Sequence, residues 1–204
     1  GPVERAGNDR DNWAFCPEGL GADSIVYSIG VGRHIAFDLW LIRRFGLTVD
    51  AFDPTPVSIE WVRSQSLPPQ FRFHPVGLAA YDGVQKFFLP RSAGSAHFSS
   101  VARSAAGGET IDAPVRRLST LMRERGHAHI DLLKMDIEGG EYGAIEDLCA
   151  SGIDVRQILV EFHHNFATIP MARTVEAVGR LRALGHRVFH VSHRGLEISM
   201  RRAA

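Results

Sequence analysis

Cysteine is almost missing from this 204-residue chain, with Cys16 and Cys149 the only two. They cannot form a disulfide framework and lack the spacing of a zinc site, so reduced thiols in a cytoplasmic protein are the expectation. Lysine is equally scarce, at Lys86 and Lys134 only, and arginine carries the remaining positive charge. Net charge is absent, because 23 basic side chains balance 23 acidic ones. Without a net positive field, neither nucleic acid nor an acidic membrane is an expected partner. No apolar run is long enough to span a bilayer. An initiating methionine is also lacking, and Gly1-Pro2 reads as the remnant of a cleaved tag.

What the chain does contain suits one water-soluble domain with a sizeable core: 45% of its residues are hydrophobic and 23% charged. Residues 1–22 read as a polar N-terminal arm anchored by Trp13, Phe15 and Pro17, and 23–204 as a single domain. Strand and helix patterns then alternate. Ile25–Ile29, Thr48–Phe52, Phe71–His74, Ile130–Met135 and Gln157–Phe162 are short apolar or β-branched runs that read as strands. Ala36–Phe45, Ser58–Ser64, Leu118–Arg125, Glu141–Ala150 and Arg173–Leu184 have helical spacing; Gly46 and Gly185 stop two of them, and Ser119 or Thr120 suits the cap of the third. Val84–Leu89 is a further extended segment. Residues 90–108 are small and polar, the composition of a substrate lid or a surface loop. Arg187–Val191 and Leu196–Met200 are joined by a hairpin signal, so one of them runs against the rest. The alternation predicts a doubly wound α/β fold whose mostly parallel sheet ends in a C-terminal antiparallel hairpin.

In such sheets, ligands bind beyond the carboxyl ends of the strands at the switch point. The first strand ends in Tyr27-Ser28-Ile29-Gly30-Val31-Gly32, where Gly30 and Gly32 allow a sharp turn and close approach of backbone to a ligand. The second ends in Ala51-Phe52-Asp53-Pro54, and Asp53 lies 21 residues after Gly32. A glycine turn with an acid at that distance fits the ribose of either NAD or S-adenosylmethionine, with a helix N-cap the other reading of Asp53. After the third strand, Val76, Gly77 and Leu78 can offer backbone donors to an adenine edge.

The most specific stretch is Lys134-Met135-Asp136-Ile137-Glu138-Gly139-Gly140-Glu141. A buried strand delivers Asp136 and Glu138 at its end, the glycines permit a tight turn, and Glu141 opens a helix at its positive pole. Two carboxylates there suit a sulfonium cation and can remove a proton. Val160-Glu161-Phe162-His163-His164 ends the following strand, so one of its histidines can face the same place, and His163 is the preferred general base. No metal is expected. Asp136, Glu138 and a histidine could hold a divalent cation, but their spacing is no recognised ligand pattern.

KMDIEGGE closely resembles the K-x-D-[IV]-E-G-x-E hallmark of FkbM-type methyltransferases, and VYSIGVG, AFDPTP, PVRRLSTLM and LVEFHH resemble other segments of that family, across about residues 13–200. The resemblance implies a class I methyltransferase fold, S-adenosylmethionine as methyl donor with S-adenosylhomocysteine as product, and a small acceptor, commonly an oxygen on a sugar or other metabolite. The expected donor-binding residues are Ser28, Gly30, Gly32, Asp53, Pro54, Val76, Gly77, Leu78 and Asp136; the expected catalytic residues are Asp136, Glu138 and His163. One rival is an NAD-dependent oxidoreductase, which shares the glycine turn and the acid. Another is a methyltransferase-fold binding protein without turnover, suggested by Ser28, Arg33 and His34, cationic or neutral groups where acids would suit a cationic donor. The acceptor and the oligomeric state are open at this level.

Overall fold

In the computed structural model, which describes residues 2–9, 11–90, 96–102 and 108–203, the chain opens with a hairpin of β1 (Glu4–Asn8) and β2 (Asp11–Phe15). β3 (Ile25–Ile29), α1 (Ala36–Phe45), β4 (Thr48–Phe52), α2 (Pro56–Arg63) and β5 (Phe71–His74) then alternate. β6 (Gly77–Leu78), β7 (Gly83–Phe88) and β8 (Thr110–Arg116) form a small separate sheet in the order β6-β8-β7. After α3 (Leu118–Arg125), alternation resumes through β9 (Ile130–Met135), α4 (Glu141–Ser151), β10 (Val155–Glu161) and α5 (Met171–Ala183), and β11 (His186–Val191) and β12 (Glu197–Arg202) close the chain.

The main sheet has the order β11-β12-β10-β9-β3-β4-β5. The five strands from β10 to β5 are parallel, and β12 runs antiparallel to both β10 and β11. This is the doubly wound α/β sheet with a C-terminal antiparallel hairpin, the class I methyltransferase arrangement. Its strands are apolar because both faces are covered, and every residue of β9 is buried. Alternate residues serve opposite faces. Val26, Leu132 and Leu159 pack toward α1 and the N-terminal hairpin, whereas Tyr27, Leu133, Ile158 and Val160 pack toward α3, α4 and α5.

The N-terminal arm is a hairpin bound to the domain by specific contacts. Phe15 is fully buried among Phe37, Trp40 and Phe45. The Gln157 side chain brackets the Cys16 backbone, accepting from its N–H at 2.9 Å and donating to its carbonyl at 2.7 Å. Asp11 Oδ2 accepts the Phe37 N–H at 2.8 Å, so an acid from β2 satisfies one of the free donors at the start of α1.

One local expectation needs correction, and one strand lies where the sequence reading assigns no element, β8 at Thr110–Arg116. Pro114 is tolerated because β6 reaches only Val115 and Arg116, which leaves Pro114 with a strand neighbour on one side. Ser119 and Thr120 do not cap α3. Asp82 does so from a distance, accepting the Arg117 N–H and the Thr120 hydroxyl, both at 2.8 Å. Among the described residues, no helix is long and apolar enough to cross a membrane.

Candidate active site

Parallel strands end on a common edge, and β3 sits where the winding reverses, with β4 on one side and β9 on the other. Above this edge lies a cleft of about 1090 Å³. One half is walled by Ile29, Phe52, Pro54, Leu78, Phe87 and Phe98 beside the glycine turn. The other gathers Asp136, Glu138, Glu161 and His163, and β2 and β12 add Asp11, Trp13, Glu197 and Ser199.

Gly30 makes the sharp turn expected of it, and the neighbouring strand adds a second reason for glycine. The φ of Gly30 is +84°, and a Cβ there would lie 1.7 Å from the Asp136 carbonyl oxygen, so glycine is required by the contact between the ends of β3 and β9. Gly32, at φ +52°, leaves room for the expected close approach, because a Cβ there would meet only Ala96, at 3.6 Å, on the cleft wall. Asp53 is 5% exposed and fully engaged. Its Oδ2 accepts the Val31 and Gly32 N–H groups at 3.0 and 2.9 Å, and its Oδ1 accepts the Thr55 N–H and hydroxyl at 2.9 and 2.6 Å. A carboxylate has about four lone-pair sites. This acid therefore ties the glycine turn to the start of α2, whose N-cap position is Thr55.

Gly30, Gly32, Asp53, Pro54, Gly77, Leu78, Asp136, Glu138 and His163 all line the cleft. Ser28 and Val76 do not. Ser28 lies within β3 and is fully buried beneath the turn, and Val76 packs sideways against the core. The expected lid over 90–108 falls partly outside the described residues, at 91–95 and 103–107. Of the rest, Ala96, His97, Phe98 and Ser100 line the cleft.

The turn after β9 is held by its neighbours. Glu138 has φ +50°, the only positive φ of a non-glycine residue among those described. The Ser99 hydroxyl donates to its carbonyl at 2.6 Å, and His97 Nδ1 lies 2.6 Å from its Oε1. Glu141 is wholly buried and does more than open α4. Its Oε2 accepts the Gly139 N–H at 2.9 Å, and its Oε1 accepts the His163 N–H at 2.9 Å and faces His163 Nδ1 at 3.2 Å. Nε2 of His163 consequently points at the carboxylates, 3.7 Å from Asp136 Oδ1 and 3.6 Å from Glu138 Oε2. His164 turns away to Thr174.

Crowding shifts the titration of these groups. Burial, with the Asp136 charge, pushes Glu161 up to about 8, and burial raises Asp136 as well. For His163, burial is outweighed by the hydrogen bond and charge of Glu141 and by Asp136 and Glu138, which lift it to about 9. The surrounding carboxylates thus favour the charged form of this imidazole, and the balance shifts when a cation or an acceptor enters among them. Lys134, under the same floor, is pulled down by burial but held above its ordinary value by Asp11, Asp38, Asp136 and Glu161. Its ammonium reaches the Gly30 carbonyl at 3.2 Å.

The model of the methyltransferase FkbM domain matches residues 22–188. The chain belongs to the FkbM methyltransferase family. Membership makes it an S-adenosylmethionine-dependent methyltransferase, although the match leaves β1, β2 and β12 outside the FkbM domain. No curated protein matches the chain. In the cleft of this FkbM methyltransferase an apolar half adjoins a group of carboxylates, and Asp53 is engaged by four hydrogen bonds from the protein itself. Sequence reasoning misses Glu161 and Glu141 as site residues. A signal for Glu161 exists, since residues 161 and 163 share a face of an extended chain.

Proposed function

We propose that the protein methylates an oxygen of a small polar acceptor, a sugar or similar hydroxylated metabolite, in the carboxylate–histidine half of the cleft. The observation that carries this reading is that a single cleft joins an apolar pocket beside Gly32 to a convergent set of titratable side chains at Asp136, Glu138 and His163. Bound S-adenosylmethionine supplies a methyl group made electrophilic by its sulfonium. Phe52, Leu78, Phe87 and Phe98 would enclose its adenine, and the backbone of the Gly30–Gly32 turn would meet its polar tail. Asp53 serves chiefly by fixing that turn. The chain's main task is to hold the acceptor oxygen in line at attack distance. Asp136 and Glu138 are the groups suited to take the hydroxyl proton, with the Nε2 of His163 between them to share it.

Calorimetric titration with S-adenosylhomocysteine, followed by labelled methyl transfer to a panel of sugars and hydroxylated metabolites, tests the reading. Saturable binding with transfer to at least one hydroxyl is expected. Binding of NAD in preference to S-adenosylhomocysteine, or transfer confined to nitrogen acceptors, would overturn it.

A further inference from the structure

We infer that Asp136, Glu161 and His163 form a binding site for a divalent cation on the floor of the acceptor half of the cleft. One ligand atom from each lies within 4.8 Å of the other two. Ligand atoms about 2.1 Å from one cation lie about 3.0 Å apart when adjacent and about 4.2 Å apart when opposite, so the three side chains must draw together by about 1–2 Å to close the set. The sheet builds this convergence. β9 and β10 are parallel neighbours, with Met135 opposite Val160, so the next step along both strands brings Asp136 beside Glu161. His163, two residues on, returns to the same face.

Independent features point to a ligand and go beyond a cluster of acids. The His163 side chain is 5% accessible, and its Nε2 makes no hydrogen bond among the described residues. Asp136 Oδ1 is likewise buried without a hydrogen-bond partner among the described residues. Nδ1 of His163 is directed at Glu141, a fully buried carboxylate, which is the outer arrangement that fixes the tautomer of a metal-binding imidazole and turns the other nitrogen toward the ion. A sulfonium has no use for an imidazole lone pair, but a cation of the Mn²⁺ class does. The inference rests on the methyl-transfer reading for its purpose: a cation there would leave positions open to the cleft, bind the acceptor oxygen and lower the pKa of its hydroxyl.

The test uses the full chain, stripped with EDTA, desalted and titrated with Mn²⁺ while the free aquo ion is followed by electron paramagnetic resonance. One bound Mn²⁺ per chain is expected. Glu161→Gln and His163→Gln should each weaken it by about tenfold or more, and Glu141→Gln should also weaken it. Circular dichroism and S-adenosylhomocysteine titration on the same samples report folding and the donor half. Absence of stoichiometric Mn²⁺ binding overturns the inference, as does binding that survives both Glu161→Gln and His163→Gln. If S-adenosylhomocysteine binds while Mn²⁺ does not, the cation site fails and the methyl-transfer reading stands. If Mn²⁺ binds while S-adenosylhomocysteine does not, the cation site stands and the methyl-transfer reading fails.

Discussion

The two halves of the cleft treat their polar atoms in opposite ways. Around the glycine turn they are satisfied internally: Asp53 accepts four hydrogen bonds from Val31, Gly32 and Thr55, and Phe52, Leu78, Phe87 and Phe98 make up much of the remaining wall. Across the cleft, Asp136 Oδ1 has no hydrogen-bond partner among the described residues, His163 Nε2 lies no closer than 3.6 Å to the carboxylates it faces, and Asp136, Glu161 and His163 all have raised pKa values. A satisfied wall is preorganised and changes little when a flat, largely apolar group enters. Crowded, partly neutralised charges instead leave interaction energy to be released when a cation or a reacting hydroxyl arrives.

The sharpest way to break this comparison is at Glu138. Glu138→Gln should reduce turnover by about 10²–10⁴-fold while S-adenosylhomocysteine affinity changes by less than about threefold, since it removes a proton acceptor and not a wall. A parallel fall in affinity and rate would mean that the halves are not separate. Glu141 supports the charged half, and Glu141→Ala leaves the Gly139 and His163 N–H groups buried without an acceptor. A loss of about 3–5 kcal/mol in urea unfolding is expected, with a smaller loss in Glu141→Gln. Equal stability of both variants and the parent would show that the turn does not depend on this carboxylate.

Next is Asp53→Ala, which frees the glycine turn and should weaken S-adenosylhomocysteine by about 1.5–3 kcal/mol, read by calorimetry. Asp53→Asn retains acceptor capacity on one oxygen only and should fall between the two. Unchanged affinity in both would remove the turn from donor binding. The smallest effect concerns Asp38, a buried carboxyl beside Ser28 and Lys134. Burial raises its folded pKa to about 6, against the opposing Lys134 charge. A carboxyl raised in this way contributes its full stability below the unfolded value of about 4 and loses it as pH rises through about 6. Asp38→Asn should therefore gain about 1 kcal/mol over the parent at pH 7.5 and little or none at pH 4, in urea unfolding at both pH values. An equal loss at the two pH values would contradict this sign.

Most of the fold was legible because its signals are short-range. β3, β4, β5 and β9 coincide with their apolar runs, and Gly46 ends α1 in the left-handed conformation that glycine favours. β8 was not, because Pro114 is excluded from a strand by local rules and admitted by the short reach of β6. In the site, KMDIEGGE announced Asp136, Glu138 and the tight turn. Ser28 and Val76 stand next to the motifs and so look like ligand contacts, whereas the sheet directs one downward and the other into the core. The N-terminal hairpin was visible only as a polar arm, although its Asp11 holds the start of α1 and lines the cleft.

By itself, then, the sequence determined the order of elements, the parallel sheet with its reversed last strand, and the presence of acids at the strand ends. These depend on side-chain period and on turn chemistry within a few residues of one another. The tertiary structure alone decided that Asp53 faces its own glycine turn, that Glu141 reaches His163 from 22 positions away, and that Glu161 completes a set with Asp136 and His163. Those outcomes depend on the register between strands far apart in the chain, and a one-residue slip would reverse every face involved.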